Sequence, residues 1–131
     1  MKQILTVKQK NLDTQEEVLL CEEAVDVMIQ DGEVQFTYHE KEPFCGTISC
    51  RFTSNGCTID RQAEGIHSKL RFDVHRKTKG TISSIYGDID MELVTQRYIR
   101  QENIIFLEYY TSQQSSKLDS FRFVFRLRNL V

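Results

Sequence analysis

The stretch Val25–Tyr38, VDVMIQDGEVQFTY, decides the fold class. Asp31-Gly32 sits between two runs of alternating apolar and polar residues. That dipeptide favours a two-residue turn in which both central residues take positive φ. The turn sets Gln30 opposite Glu33, Ile29 opposite Val34, Val27 opposite Phe36 and Val25 opposite Tyr38. The apolar residues of both arms then share one face, which turn chemistry alone does not require. The segment therefore reads as a hairpin with one buried side.

A second hairpin is centred on Asn55-Gly56 in Ile48–Arg61, ISCRFTSNGCTIDR. A two-residue turn there places Phe52 opposite Ile59 and Cys50 opposite Arg61. Ile48, Cys50, Phe52, Cys57 and Ile59 line one face, and Arg61 falls on that same face. Cys50 and Cys57 are not opposite each other, so a disulfide between them would oppose the register.

The period-two pattern continues outward. After a turn at Ala63-Glu64-Gly65, Ser68, Leu70, Phe72 and Val74 alternate with His67, Lys69, Arg71, Asp73 and His75. Arg76–Gly80 reads as a loop. Thr81–Thr95 reads as one long strand. Ile82, Ser84 and Tyr86 point inward in its first half, and Ile89, Met91 and Leu93 in its second. Those parities conflict by one residue, so a bulge or sharp bend is expected at Tyr86-Gly87. Strands over about 103–111 and 119–129 follow, separated by the polar loop Ser112–Lys117. Phe121, Phe123, Phe125 and Leu127 face inward in the last strand. Thr14–Glu23 is the best helix candidate, and it also reads as a strand.

Turn signals every ten to fifteen positions across a chain of 131 residues mark one domain, 1–131. The fold class is all-β, a single antiparallel β-barrel of about ten strands. Charged residues make up 27% and hydrophobic residues 40%, a globular balance. No apolar run is long enough for a membrane helix, and the N-terminus has no apolar signal core. A cytoplasmic location and no membrane partner are expected. The four cysteines at 21, 45, 50 and 57 have neither zinc-finger nor CxxC spacing, so free thiols are expected and no metal. The formal net charge is −2. It runs from ten acidic against four basic residues up to Cys45 to six basic against three acidic from Arg97 onward. The total argues against a general nucleic-acid binder but leaves room for a local basic face.

The segment His67–Gln96, HSKLRFDVHRKTKGTISSIYGDIDMELVTQ, resembles the YwiB-like family of bacterial proteins. Further matches are Asp31-Gly32, the segment Phe36–Glu40, and Arg61. Ser68, Leu70 and Phe72 also match, as do Tyr86, Gly87, Ile89, Met91 and Thr95. The resemblance runs from about Val25 onward. It implies a calycin-like (lipocalin-like) β-barrel of unknown function in a cytoplasmic bacterial protein, and it implies no activity.

No phosphate-loop, dinucleotide, nucleophile-elbow or metalloprotease pattern occurs, and no cofactor is expected. Arg61 is the most informative residue, because a charged group on an inner face must be paired or hydrated. It reads either as the anchor of an anionic ligand or as a side chain at the barrel's end that reaches solvent or carbonyls. Tyr86, Ser84 and Tyr38 would add hydroxyls to the same interior. The first functional reading is therefore a binding barrel for a small amphipathic or anionic ligand. The second is a protein- or RNA-interaction module that uses an outer basic strip of Lys69, Arg71, Arg76, Lys77 and Lys79. No aromatic ladder accompanies that strip. An enzyme ranks last, since no nucleophile–base pair is visible. The oligomeric state is not legible.

Overall fold

The computed structural model describes residues 1–130. All of its regular structure is strand. The eleven strands are β1 (Lys2–Asn11), β2 (Glu17–Asp26), β3 (Met28–Gln30), β4 (Glu33–His39), β5 (Thr47–Phe52), β6 (Gly56–Ala63), β7 (Ile66–Asp73), β8 (Thr78–Ser84), β9 (Gly87–Gln101), β10 (Ile104–Gln113) and β11 (Ser116–Asn129). They form one antiparallel sheet in the order β2-β1-β11-β10-β9-β8-β7-β6-β5-β4-β3. The two edge strands, β2 and β3, are consecutive in the chain and separated only by Val27. The sheet therefore curls into a nearly closed barrel. At the seam, the Lys41 amide donates to the Leu20 carbonyl (2.8 Å) and the His39 amide to Glu23 Oε1 (2.8 Å).

The Asp31-Gly32 hairpin has the expected register, with Gln30 opposite Glu33 and Ile29 opposite Val34. Both central residues take positive φ, +53° and +78°. The ladder ends at Met28, because the preceding strand departs to pair with β1. Val25, Val27, Phe36 and Tyr38 are all buried, as their alternation requires. Ile29 is exposed instead, since the hairpin tip projects beyond the core.

The second hairpin differs in register. Phe52 pairs with Cys57, Cys50 with Ile59 and Ile48 with Arg61, a slip of two residues from expectation. The turn is therefore Ser54-Asn55, and Gly56 is the first residue of β6. The cause is a non-local approach: a Cβ on Gly56 would lie 1.9 Å from the Phe72 carbonyl oxygen of β7. A slip of two preserves the face, so Ile48, Cys50, Phe52, Cys57 and Ile59 remain buried.

The expected bulge at Tyr86-Gly87 is a full hairpin turn. Ser84 pairs with Gly87, so Ile85 and Tyr86 form the tip between β8 and β9. Gly87 takes the positive φ (+113°) and spares both bulky residues from it. The turn also resolves the parity conflict, because Ile82 lies opposite Ile89. The polar loop Ser112–Lys117 shrinks to the turn Gln114-Ser115, both at positive φ. Thr14–Glu23 is not helical: it spans the β1–β2 turn and the start of β2.

The interior is filled by aromatic rings. Phe36 and Phe52 centroids lie 5.4 Å apart, Phe52 and Phe125 5.1 Å, Phe125 and Phe123 5.6 Å, and Phe72 and Tyr109 4.6 Å. Rings of this size bury about 150–250 Å² each, so a few of them occupy a small barrel. The four cysteines are free; Cys21, Cys50 and Cys57 are buried and Cys45 is exposed.

Candidate functional site

Arg61 lies at the end of the barrel that carries the β4–β5 loop. Its Nε and Nη2 donate to Glu40 Oε1 at 3.0 and 2.8 Å, and Nη2 reaches the Phe44 carbonyl at 3.5 Å. The Gly46 amide donates to the same Glu40 oxygen at 3.1 Å. The carboxylate that Arg61 grips thus belongs to its own chain, and together they clasp the loop. Tyr38 is buried nearby, and burial pushes its phenol well above the usual range.

Tyr86 does not share that interior. It is 94% exposed at the β8–β9 tip, because the chain reverses where a continuous strand was expected. Ser84 serves the turn: its Oγ accepts from the Tyr86 amide at 3.2 Å and lies 3.4 Å from the Gly87 carbonyl. The four expected interior residues therefore do not converge. Of the basic strip, Lys69, Arg71 and Lys77 are exposed, Arg76 pairs with Asp73 (3.3 Å) and Lys79 with Asp90 (3.2 Å). On the same outer surface His67 Nε2 lies 2.6 Å from Asp60 Oδ1.

A different outer face gathers more chemistry. Leu5, Val7, Leu107, Tyr109, Phe123 and Phe125 point into the core, so their neighbours point out. Across β1, β11, β10 and β9 this sets Lys10, Arg122, Glu108 and Arg97 in one row. The next row is Lys8, Val124, Phe106 and Ile99. The Arg97 and Arg122 guanidinium carbons stand 4.9 and 5.1 Å from the Phe106 ring centroid. Both arginines also hold the buried Glu108 carboxylate, Arg122 at 2.7 Å and Arg97 at 3.7 Å. Lys117 Nζ stands 5.4 Å from the Tyr110 ring. Arg126 and Arg128 extend the basic surface. Lys8 and Lys10, from the acidic third of the sequence, join the basic C-terminal third because β1 pairs with β11.

Alternation in the last strand turns Arg122, Arg126 and Arg128 outward, but the sequence does not show what they meet. Residues 104–111, IIFLEYYT, are apolar at both parities, so alternation does not say which side faces out. The signal that was available is the pair of arginines on β9 and β11 flanking a strand that carries a lone acid.

A search of curated proteins finds no match. The ywiB protein from Bacillus subtilis has a similar crystal structure, with a TM-score of 0.67 at 12% identity over 95% of this chain and 90% of that one. That likeness is one of fold. A family model described as a domain of unknown function, DUF1934, matches residues 4–124. The barrel and the extent of that match together place the chain in the DUF1934 family, to which it belongs.

Proposed function

We propose that this chain is a binding module that takes single-stranded nucleic acid on the outer face of β1, β11, β10 and β9. The observation that carries the reading is Phe106 flanked by the guanidinium groups of Arg97 and Arg122, with Lys8, Lys10 and Arg126 around it. Planar guanidinium groups and rings stack with bases, while the surrounding cations neutralise phosphates. Glu108 is covered by its two arginines and presents little negative charge outward.

The other reading, an amphipathic or anionic ligand inside the barrel, uses Arg61 and Tyr38. Glu40 occupies that guanidinium and aromatic rings pack the barrel interior, so the outer face is better supported.

Fluorescence anisotropy with labelled oligouridine tests the proposal. Binding is expected at low salt and should weaken at least about tenfold between about 50 and 200 mM salt. Lys8→Glu combined with Arg126→Glu should abolish it, whereas Lys69→Glu with Arg71→Glu should not. No anisotropy change at low salt, or loss through the Lys69 and Arg71 changes alone, would overturn the reading.

A further inference from the structure

The β8–β9 hairpin carries side chains that its own folding does not call for. A two-residue tip favours small or turn-forming residues. Here it holds Ile85 and Tyr86, 85% and 94% exposed, although Gly87 already supplies the positive φ. Large exposed apolar side chains at such a position are typical of an interaction site.

The strand behind the tip has a free edge. The β9–β10 ladder ends where Glu92 pairs with Ser112, so Gly87–Met91 pair only with β8. The Asp90 carbonyl points to the open side, where the Gln113 side-chain amide donates to it at 3.1 Å, a bond that an added strand replaces. In a strand a residue's N–H and C=O point the same way, and so do those of its neighbours two residues away. The backbone groups of Asp88 therefore face the open side too.

The two faces along this edge differ in chemistry. Ile89 lies on the inner side and is half exposed, with Ile82 directly across from it on β8. Asp88, Asp90 and Glu92 lie on the outer side, all exposed. Thr81 Oγ1 donates to Asp90 at 2.9 Å, and Lys79 is the one cation of the strip that pairs there. A second copy of the same edge would set these carboxylates against each other, which disfavours self-pairing.

We propose that the β8–β9 hairpin docks an extended segment of a partner protein that adds as a strand to β9. The segment alternates apolar residues, which meet Ile89 and Tyr86, with lysine or arginine residues, which meet Asp88 and Asp90. Main-chain hydrogen bonds give affinity and the alternation gives specificity. This site lies apart from the basic face and does not depend on the nucleic-acid reading.

The test is NMR of the labelled full chain with two capped heptapeptides, one alternating lysine and valine, the other glutamate and valine. The lysine peptide should shift the Asp88 and Asp90 amides and slow their hydrogen exchange at least about tenfold. The glutamate peptide should not. Ile85→Ser with Tyr86→Ser should weaken binding about tenfold while leaving the melting temperature unchanged, since Gly87 keeps the turn. Three results would overturn the proposal: no response at Asp88 and Asp90, an equal response to both peptides, or protection of those amides that rises with protein concentration without peptide. The last would mean that a second copy occupies the edge.

Discussion

Arg61 Nη2 lies 2.8 Å from Glu40 Oε1, and that same oxygen accepts the Gly46 amide at 3.1 Å. One buried carboxylate oxygen thus ties the β4–β5 loop to β6. The Glu40 side chain is only 6% exposed, and the Arg61 guanidinium is its counter-charge.

Arg61→Ala leaves that carboxylate buried and unpaired. It should cost about 3 kcal/mol, measured as a urea midpoint shift at constant m. Glu40→Gln should cost less, because an amide needs no counter-charge. Equal stability of Arg61→Ala and the parent chain would mean that the clasp contributes nothing.

Gly56 is placed by sterics rather than by turn chemistry. Its α-hydrogen faces the Phe72 carbonyl, where a methyl group would lie 1.9 Å from the oxygen. Gly56→Ala must push β6 from β7 and should cost about 3 kcal/mol. Asn55→Ala should cost far less, since Asn55 does not take positive φ. Thermal denaturation of the two variants compares them directly.

The thiols should react in two classes. Cys45 is exposed, whereas Cys21, Cys50 and Cys57 are buried. Burial also pushes the Cys21 thiol up to about 12, with Glu23 adding to the effect. At pH 8, intact-mass analysis with iodoacetamide should show one adduct on the folded chain and four in urea. Rapid native labelling at Cys50 or Cys57 would contradict the packed interior.

Stability should fall on the alkaline side. Burial raises the thiols of Cys21, Cys50 and Cys57 above their usual 9.0 and the phenols of Tyr38 and Tyr109 above their usual 10.0. Each raised value favours the neutral form in the folded state. The contribution is complete below about pH 9 and is lost as pH rises through the folded values. Urea midpoints should therefore decline above about pH 9, and the buried Tyr38 and Tyr109 phenols should ionise together with unfolding.

Legibility followed the range of the interactions. Alternation alone assigns Phe121, Phe123, Phe125 and Leu127 to the core, and they are largely buried there. Alternation likewise places Arg61 on the inner face, but it does not pair Arg61 with Glu40, which lies 21 residues away in the chain. The Ile85-Tyr86 turn is not legible as one, because neither residue is a turn former. Phe106 stayed hidden because β10 is apolar on both faces.

The sequence by itself determined an all-β chain and the face on which most side chains lie, because strand alternation is a local, period-two property. It did not determine the register at Asn55-Gly56, since a slip of two residues leaves every face unchanged; the contact of Gly56 with Phe72 settled that. Nor did it determine which charges meet. Lys8, Arg122 and Arg97 form one surface only because β1, β11, β10 and β9 lie side by side. Strand order is set by packing between distant segments, and so the candidate binding surfaces belong to the tertiary structure alone.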